Sequence, residues 1–233
     1  MHTERMYVVR KAVGRPGLDG QWDGAAWGGA DTLTVGSFHR ESSDHHPLTQ
    51  ARMVYDDEGV YGIFRVEDRY VLCTHTEYLS DVSRDACVEF FVEPKPGKGY
   101  LNFEMNCGGV MLASYIEDCT RIDDPARPDQ TFEKYTRLPW DVASQVAVYH
   151  SMPAVVATEI EDPVEWVLEF HIPFSVLETY VGPLGEVAGQ RWRANFNKCA
   201  EDCSHPHWAT WSPIGPELNF HRPDCFAPIT FAR

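Results

Sequence analysis

Apolar and polar residues alternate along most of the chain, which is the pattern of strands with one buried face. The clearest alternating runs occupy residues 51–57, 60–67, 88–92, 101–105, 164–172 and 192–197. No stretch shows sustained helical periodicity. Because short strands recur over nearly the whole length, we predict an all-β fold, an antiparallel β-sandwich of jelly-roll type.

Turn-forming residues separate these runs. The Gly-containing sequence at 56–59 joins two of the runs into a predicted hairpin. One long stretch, about residues 118–142, lacks the alternation and is rich in Asp, Pro and Arg, so we predict a loop there. No internal repeat or linker divides the chain, and we expect residues 1–233 to form one domain.

Composition narrows the classes of partner. The 233 residues carry 35 acidic and 20 basic side chains, a formal net charge of -15. A field of this sign repels phosphate backbones, so we expect no nucleic-acid partner. The apolar runs are far shorter than the roughly 20 residues of a membrane-spanning helix, so we expect no membrane partner either.

The cysteine content bears on the cellular compartment. Seven cysteines, an odd number, fit a reducing environment better than a disulfide framework. The first ten residues also lack the apolar segment of a secretory signal. We therefore expect a cytoplasmic protein, with a secreted one as the alternative if a signal segment has been removed.

The segment Leu18-Asp-Gly-Gln-Trp-Asp-Gly-Ala-Ala-Trp27 resembles the opening signature of carbohydrate-binding module family 9, within the DOMON-like β-sandwich superfamily. Later blocks follow in the order of that family, over about residues 17–231. They are Val54-Tyr-Asp-Asp57, Val66-Glu-Asp68, Asp85-Ala-Cys-Val-Glu-Phe-Phe91, Glu169-Phe-His-Ile-Pro-Phe174, Trp211-Ser-Pro213 and Pro223-Asp-Cys-Phe226.

This resemblance implies noncovalent binding of a mono- or oligosaccharide, with a chain end held between aromatic side chains beside a polar sheet face. The positions that resemble the family's binding residues are Glu89, Asn102, Glu104, Asn197 and Trp211. The family's second sandwiching tryptophan is missing, because the chain has Asp-Val-Ser-Arg at 81–84. Only Tyr78 or His75 could replace it nearby.

Strand parity supports a polar face without reference to any family. Residues that alternate with the apolar core positions are Glu89, Asn102, Glu104, Asn106, Arg193, Asn195 and Asn197. On one sheet they would offer the mixed acceptors and amide donors that sugar hydroxyls require. The same pattern also fits a solvated sheet face with ordinary cross-strand pairs. We add Arg193 and His207 to the candidate ligand-binding residues, His207 as a rim residue.

The seven tryptophans include candidates for the hydrophobic core and candidates for an aromatic platform on which a sugar ring stacks. Strong apolar patterning predicts core positions for Trp22, Trp27, Trp166 and Trp192. Trp211 is the first candidate for stacking on a sugar ring, and Trp208 and Trp140 are further ones.

An enzymatic alternative remains open at this stage. Glu89 and Glu104 could form the carboxylate pair of a glycoside hydrolase or lyase that reuses the same sandwich. Because such pairs also occur in pure binders, we favour a non-catalytic domain.

Three ligand sets for metals or cofactors are also conceivable. Zinc could be bound within Cys199-Ala-Glu-Asp-Cys203-Ser-His205-Pro-His207, or near the pair His45-His46. Structural calcium, which the superfamily resemblance suggests, could use the loops at 56–58 or 118–124. A haem-binding sandwich is a lesser alternative, with Met105, Met111, His171 and Lys198 as available ligands.

Overall fold

A computed structural model of the chain describes residues 5–123 and 131–233. In these ranges the strands are Tyr7–Lys11 (β1), Leu33–Thr34 (β2), Ser37–Phe38 (β3), Leu48–Tyr55 (β4), Gly59–Asp68 (β5), Val71–Cys73 (β6), Cys87–Glu93 (β7), Tyr100–Asn106 (β8), Met111–Arg121 (β9), Phe132–Arg137 (β10), Ala147–His150 (β11), Val156–Ile160 (β12), Val164–Pro173 (β13), Arg191–Ala200 (β14), His207–Thr210 (β15) and Ala227–Phe231 (β16). Two short α-helices are Trp140–Ala143 (α1) and Phe174–Val181 (α2), and single 3-10 turns lie at Ala25–Trp27, Val82–Arg84 and Pro223–Cys225.

Most of the strands form two facing sheets, and β6 and β12 pair separately. The first sheet has the order β10-β9-β8-β7-β14-β16, and the second has the order β4-β5-β13-β11. Strand β1 connects them, because its first half pairs with β16 and its second half with β4. Both of these pairings are parallel, and they are the exception among the described strands, whose other pairings are antiparallel as predicted. The sandwich itself is confirmed, and its jelly-roll winding stays a prediction.

Aromatic side chains fill the space between the two sheets. Phe90 of β7 stacks on Phe170 of β13 with ring centroids 5.7 Å apart, and Phe196 of β14 lies 6.1 Å from Phe64 of β5. All four are fully buried. The core predictions for tryptophan are confirmed as well, since Trp22, Trp27, Trp166 and Trp192 are all buried.

The predicted loop at 118–142 is largely a hairpin. Strand β9 continues to Arg121, and β10 pairs with it in antiparallel register, with Thr136 opposite Tyr115. Residues 124–130 lie outside the described part of the chain. The prediction failed because β10 is an edge strand whose sequence, Phe-Glu-Lys-Tyr-Thr-Arg, is mostly exposed. Such a strand shows little apolar alternation.

The opening motif is fixed to the outer side of the second sheet. Glu169 of β13 accepts hydrogen bonds through Oε2 from the backbone N–H groups of Asp19 (3.0 Å) and Gly20 (2.8 Å). Gly20 has a φ of 71°, and a Cβ there would lie 2.3 Å from the ring of Tyr149. Glycine is therefore required at this position.

Helix α2 follows β13 at Pro173 and ends before Gly182. With eight residues it is too short to produce sustained periodicity in the sequence. In the described ranges, neither α-helix has the length and apolar character that crossing a membrane would require.

Candidate functional site

The outer face of the first sheet, the side turned away from the sandwich core, carries most of the predicted ligand-binding residues. Glu104 of β8 lies opposite Glu89 of β7, and Glu89 lies opposite Asn197 of β14. Asn102 is on the same face, two residues before Glu104. The structure thus brings together four of the residues singled out by strand parity.

A cavity of about 300 Å³ opens over this face. Glu89, Phe91 and Glu104 form its floor. The long connection between β15 and β16 covers one side, because Phe220 packs on Phe91 in the small apolar cluster on the outer face. The full lining is Ser83, Glu89, Phe91, Glu104, Arg121, Glu201, Trp208, Leu218, Asn219, Phe220 and His221. This volume is at the lower end of small-molecule sites.

Burial changes the protonation of the floor. Desolvation raises the pKa of Glu89 well above its ordinary value, and the neighbouring Glu104 raises it further. Desolvation likewise raises the pKa of Glu104, although the hydrogen bond from Asn102 opposes the shift. A protonated carboxyl group is a donor as well as an acceptor, so the pair can serve both ends of a hydroxyl group.

Two buried amides support these carboxyl groups. Asn102 Nδ2 donates to Glu104 Oε1 (2.6 Å), and Asn197 Nδ2 donates to Glu89 Oε2 (3.1 Å). The Oδ1 atoms of both asparagines find no hydrogen-bond partner among the described residues. An unpartnered buried acceptor costs about 1–3 kcal/mol. Neither asparagine lines the cavity, so their role in the site is to hold the two carboxyl groups.

Trp208, and not Trp211, is the aromatic wall of the cavity. The Trp208 ring lies half-buried in the lining, and its Nε1 donates to Glu201 Oε1 (3.4 Å). Trp211 is only 5% exposed and packs edge-on against Phe196 in the main core. The interpretation of Trp211 as a stacking platform is wrong, because residues 207, 209 and 211 point inward while 208 points outward.

Arg193 and two predicted asparagines hold loops. The Arg193 guanidinium donates to the backbone oxygens of Asp224 (3.1 Å) and Phe226 (2.9 Å) and lies outside the cavity lining. Asn195 clamps the backbone of Ser212 from both sides. Asn106 bonds the backbone of residues 75 and 110. Parity placed these residues on the correct face, but their side chains are engaged in holding neighbouring segments.

His207 lies on the opposite face of the sheet, so its predicted role at the rim of the sugar site is wrong. Its Nε2 accepts a hydrogen bond from Lys198 Nζ (2.8 Å), and Lys198 is 3.5 Å from Asp68. Burial and the Lys198 charge lower the pKa of His207 to about 3. Both His207 and Lys198 are fully enclosed in the sandwich.

The structure does not assemble the haem ligands. Lys198 is occupied by Asp68 and His207, and Met105 lies in the core of the first sheet. His171 stacks on Tyr61 on the outer side of the second sheet, with ring centroids 4.2 Å apart. His171 therefore points away from the sandwich interior, where Met105, Met111 and Lys198 lie.

The 199–207 segment does not gather its candidate zinc ligands around one point, and calcium binding at the two loops stays a prediction. Cys199 faces outward toward Glu89, whereas His207 faces inward, so the 199–207 segment cannot close around one ion. In the loop at 56–58, Asp56 accepts bonds from its own turn, Asp57 pairs with Lys11, and Glu58 pairs with Arg15. Asp118 accepts a bond from the Thr120 backbone, and Asp124 lies outside the described residues.

Sequence reasoning missed the covering segment. Leu218, Asn219, Phe220 and His221 come from the connection after β15, and Arg121 comes from the end of β9. Tyr100 OH and His221 Nδ1 form a 2.8 Å hydrogen bond that fixes this segment to the sheet. The available signal was the pair Phe220-His221 within a Pro- and Gly-rich stretch, since buried aromatic residues in a loop indicate packing on a sheet.

Several proteins resemble this chain. Residues 29–231 match the sequence profile of carbohydrate-binding family 9. Among solved structures, a candidate carbohydrate-binding protein from Bacteroides uniformis ATCC 8492 superposes with a TM-score of 0.82 at 23% identity, covering 98% of this chain and 100% of that chain.

Two structures of a family 9 carbohydrate-binding module from Caldicellulosiruptor kristjanssonii are also similar. The complex with cellotriose has a TM-score of 0.62 at 12% identity, and the complex with glucose has a TM-score of 0.60 at 13% identity. Each covers 98% of this chain, with 94% and 97% of the other chain covered. No curated protein matches. Since the family profile spans most of the sequence, and the fold agrees, the chain belongs to carbohydrate-binding family 9.

Proposed function

We propose that the chain binds a saccharide noncovalently in the cavity on the outer face of the first sheet. The observation that carries this proposal is the combination of one aromatic wall, Trp208, with a floor of two facing carboxyl groups, Glu89 and Glu104. Sugars present C–H faces that stack on aromatic rings, and hydroxyl groups that need paired donors and acceptors. The cavity supplies both within one small volume.

The size of the cavity favours the end of a saccharide over the middle of a long chain. Its lower-range volume and the covering segment at 218–221 leave room for a terminal unit under Phe220 and beside Trp208. Family membership supports the ligand class, as do the related modules that were solved with glucose and with cellotriose.

A second candidate function uses the same two carboxyl groups catalytically. Glu89 and Glu104 line one cavity with raised pKa values, and a glycoside hydrolase needs one protonated and one ionised carboxyl group. However, neighbouring positions on a sheet place both groups beneath a ligand, whereas the two catalytic carboxyl groups of a glycosidase flank the scissile bond. Binding without turnover is therefore the preferred function.

Calorimetric titration with glucose, cellotriose and a panel of other mono- and oligosaccharides tests the proposal. We expect a saturable heat for at least one sugar, and its loss in Trp208→Ala. The matched control is Trp140→Ala, because Trp140 is 63% exposed and lies outside the lining of this cavity. A sugar whose affinity depends on Trp140 and not on Trp208 would contradict the assignment.

Chromatography of each bound sugar after overnight incubation separates the two candidate functions. Recovery of intact sugar supports binding alone. Cleavage that is lost in both Glu89→Gln and Glu104→Gln would replace the binding proposal with the enzymatic one.

A further inference from the structure

Two thiols and a carboxyl group meet directly beneath the cavity. Cys87 of β7 lies opposite Cys199 of β14, and both side chains share the outer face with Glu89. The two Sγ atoms and a Glu89 carboxylate oxygen all lie within 4.8 Å of one another. Within the described ranges, no other group of three such ligand atoms comes this close together.

From this geometry we infer that Cys87, Cys199 and Glu89 form a binding site for a thiophilic divalent metal ion such as Zn²⁺. A tetrahedral zinc ion, with Zn–S of about 2.3 Å and Zn–O of about 2.0 Å, holds a sulfur and an oxygen about 3.5 Å apart and two sulfurs about 3.8 Å apart. The distance between Cys199 Sγ and Glu89 Oε1 is 3.3 Å. Since the other two pairs of ligand atoms lie within 4.8 Å, side-chain shifts of about 1 Å would complete the three-ligand set.

The donor atoms determine which metal fits. Thiolates select zinc, cadmium and similar ions over calcium and magnesium, which prefer oxygen ligands. Besides Glu89 and Glu104, the cavity lining adds one acidic side chain, Glu201, and one basic side chain, Arg121, near this set. The nearest buried ammonium, Lys198, is directed to the opposite face, where Asp68 and His207 hold it.

The fourth coordination position faces the cavity. Glu89 is part of the cavity lining, whereas the two cysteines lie behind it and are fully buried. Three protein ligands with one open position is the arrangement of zinc sites that bind water or a further ligand. An ion that enters the cavity therefore meets Glu89 first.

Cobalt titration of the reduced, chelator-treated full chain tests this inference in the absence of any sugar. Cobalt bound by thiolates absorbs in the near ultraviolet through charge transfer from sulfur. We expect this absorption to saturate at one cobalt per chain, to be abolished by added Zn²⁺, and to be unaffected by Ca²⁺. Its absence in the folded chain overturns the proposal.

Variants locate the site. Cys87→Ser, Cys199→Ser and Glu89→Gln should each weaken cobalt binding at least tenfold, and Glu89→Gln provides a test that leaves both thiols in place. Cys203→Ser is the matched control, because Cys203 is buried in the following segment, where its thiol donates to the Ala200 backbone oxygen. Binding should be unchanged in that variant.

A second pair of neighbouring thiols, Cys73 and Cys107, provides the strictest comparison. Absorption that disappears in Cys73→Ser and persists in Cys199→Ser would overturn the assignment. A disulfide between Cys87 and Cys199, detected by mass spectrometry in the titrated sample, would do so as well.

Discussion

Glu89 lies directly opposite Glu104 across the ladder between β7 and β8, and both carboxyl groups are buried at the floor of one cavity. Two carboxylates in this arrangement cannot both ionise without a cost. Folding therefore traps protons that the unfolded chain would release at neutral pH. This relationship makes the stability of the protein depend on pH.

We expect Glu104→Gln to become progressively more stable than the wild type as the pH rises. Burial raises the pKa of Glu104 from 4.5 to about 7, so between these values the folded chain holds a proton that the unfolded chain lacks. Wild-type stability then falls with rising pH in this window, and the glutamine variant avoids the loss. The gain should be on the order of 3 kcal/mol between pH 5 and 8. Urea unfolding of both proteins, with chelator present, measures it. A difference that stays constant with pH would contradict the buried pair.

Trp208 and Trp211 should separate binding from stability. Trp208→Ala removes the cavity wall, so we expect sugar affinity to fall about tenfold or more, which is a loss of roughly 1.4 kcal/mol in binding free energy. Trp211→Ala empties a core position beside Phe196, so we expect it to lower the free energy of unfolding by roughly 3–5 kcal/mol. Calorimetric titration and urea unfolding of both variants check the contrast. An unstable Trp208→Ala with normal affinity would reverse the two assignments.

The sequence predicts which face of the sheet a side chain occupies, because this depends only on the alternation within one strand. Parity along β7, β8 and β14 placed Glu89, Asn102, Glu104 and Asn197 on one face, because side-chain direction alternates with each residue. Parity does not give register between strands. The sequence therefore could not show that Glu89 faces Glu104 directly, or that Asn195 would be used to clamp Ser212.

The failures arise where a contact joins distant segments. Family resemblance suggests Trp211 as a stacking platform, although the same parity that places Ala209 in the core also places Trp211 there. Phe220 and His221 reach the cavity only because the connection after β15 folds back over the sheet. The aromatic pair in the sequence indicates that this segment packs on a sheet, but it does not give the path that the segment takes.

The ion pair between Lys198 and Asp68 should be costly to break from one side. Burial alone would raise the pKa of Asp68, but the Lys198 charge and the His45 hydrogen bond hold it well below its ordinary range. Lys198→Met leaves a buried carboxylate without its cation, and we expect a loss of roughly 3–5 kcal/mol in the free energy of unfolding.

Two further variants test this interpretation. Adding Asp68→Asn to Lys198→Met should recover part of the loss, because the uncompensated charge is removed. Lys134→Met is the surface control, since the pair of Lys134 with Glu117 is largely exposed and should be worth less than about 1 kcal/mol. If Lys198→Met and Lys134→Met lower the free energy of unfolding equally, then breaking the buried Lys198 pair costs no more than breaking an exposed pair. Chemical denaturation measures all three.

Loosening the opening motif at residues 18–27 should lower the stability of the protein without changing its sugar affinity. Glu169→Ala removes the acceptor for two backbone N–H groups, at Asp19 and Gly20, so we expect a loss of roughly 2–4 kcal/mol in stability. Glu169→Gln keeps one acceptor oxygen and should lose less stability.

Because Glu169 lies on the outer side of the second sheet, away from the cavity, the sugar affinity of the folded variants should equal that of the wild type. Urea unfolding and calorimetric titration test the two halves of this prediction. A fall in affinity without a fall in stability would mean that the motif itself takes part in binding, and that the cavity on the first sheet is only part of the site.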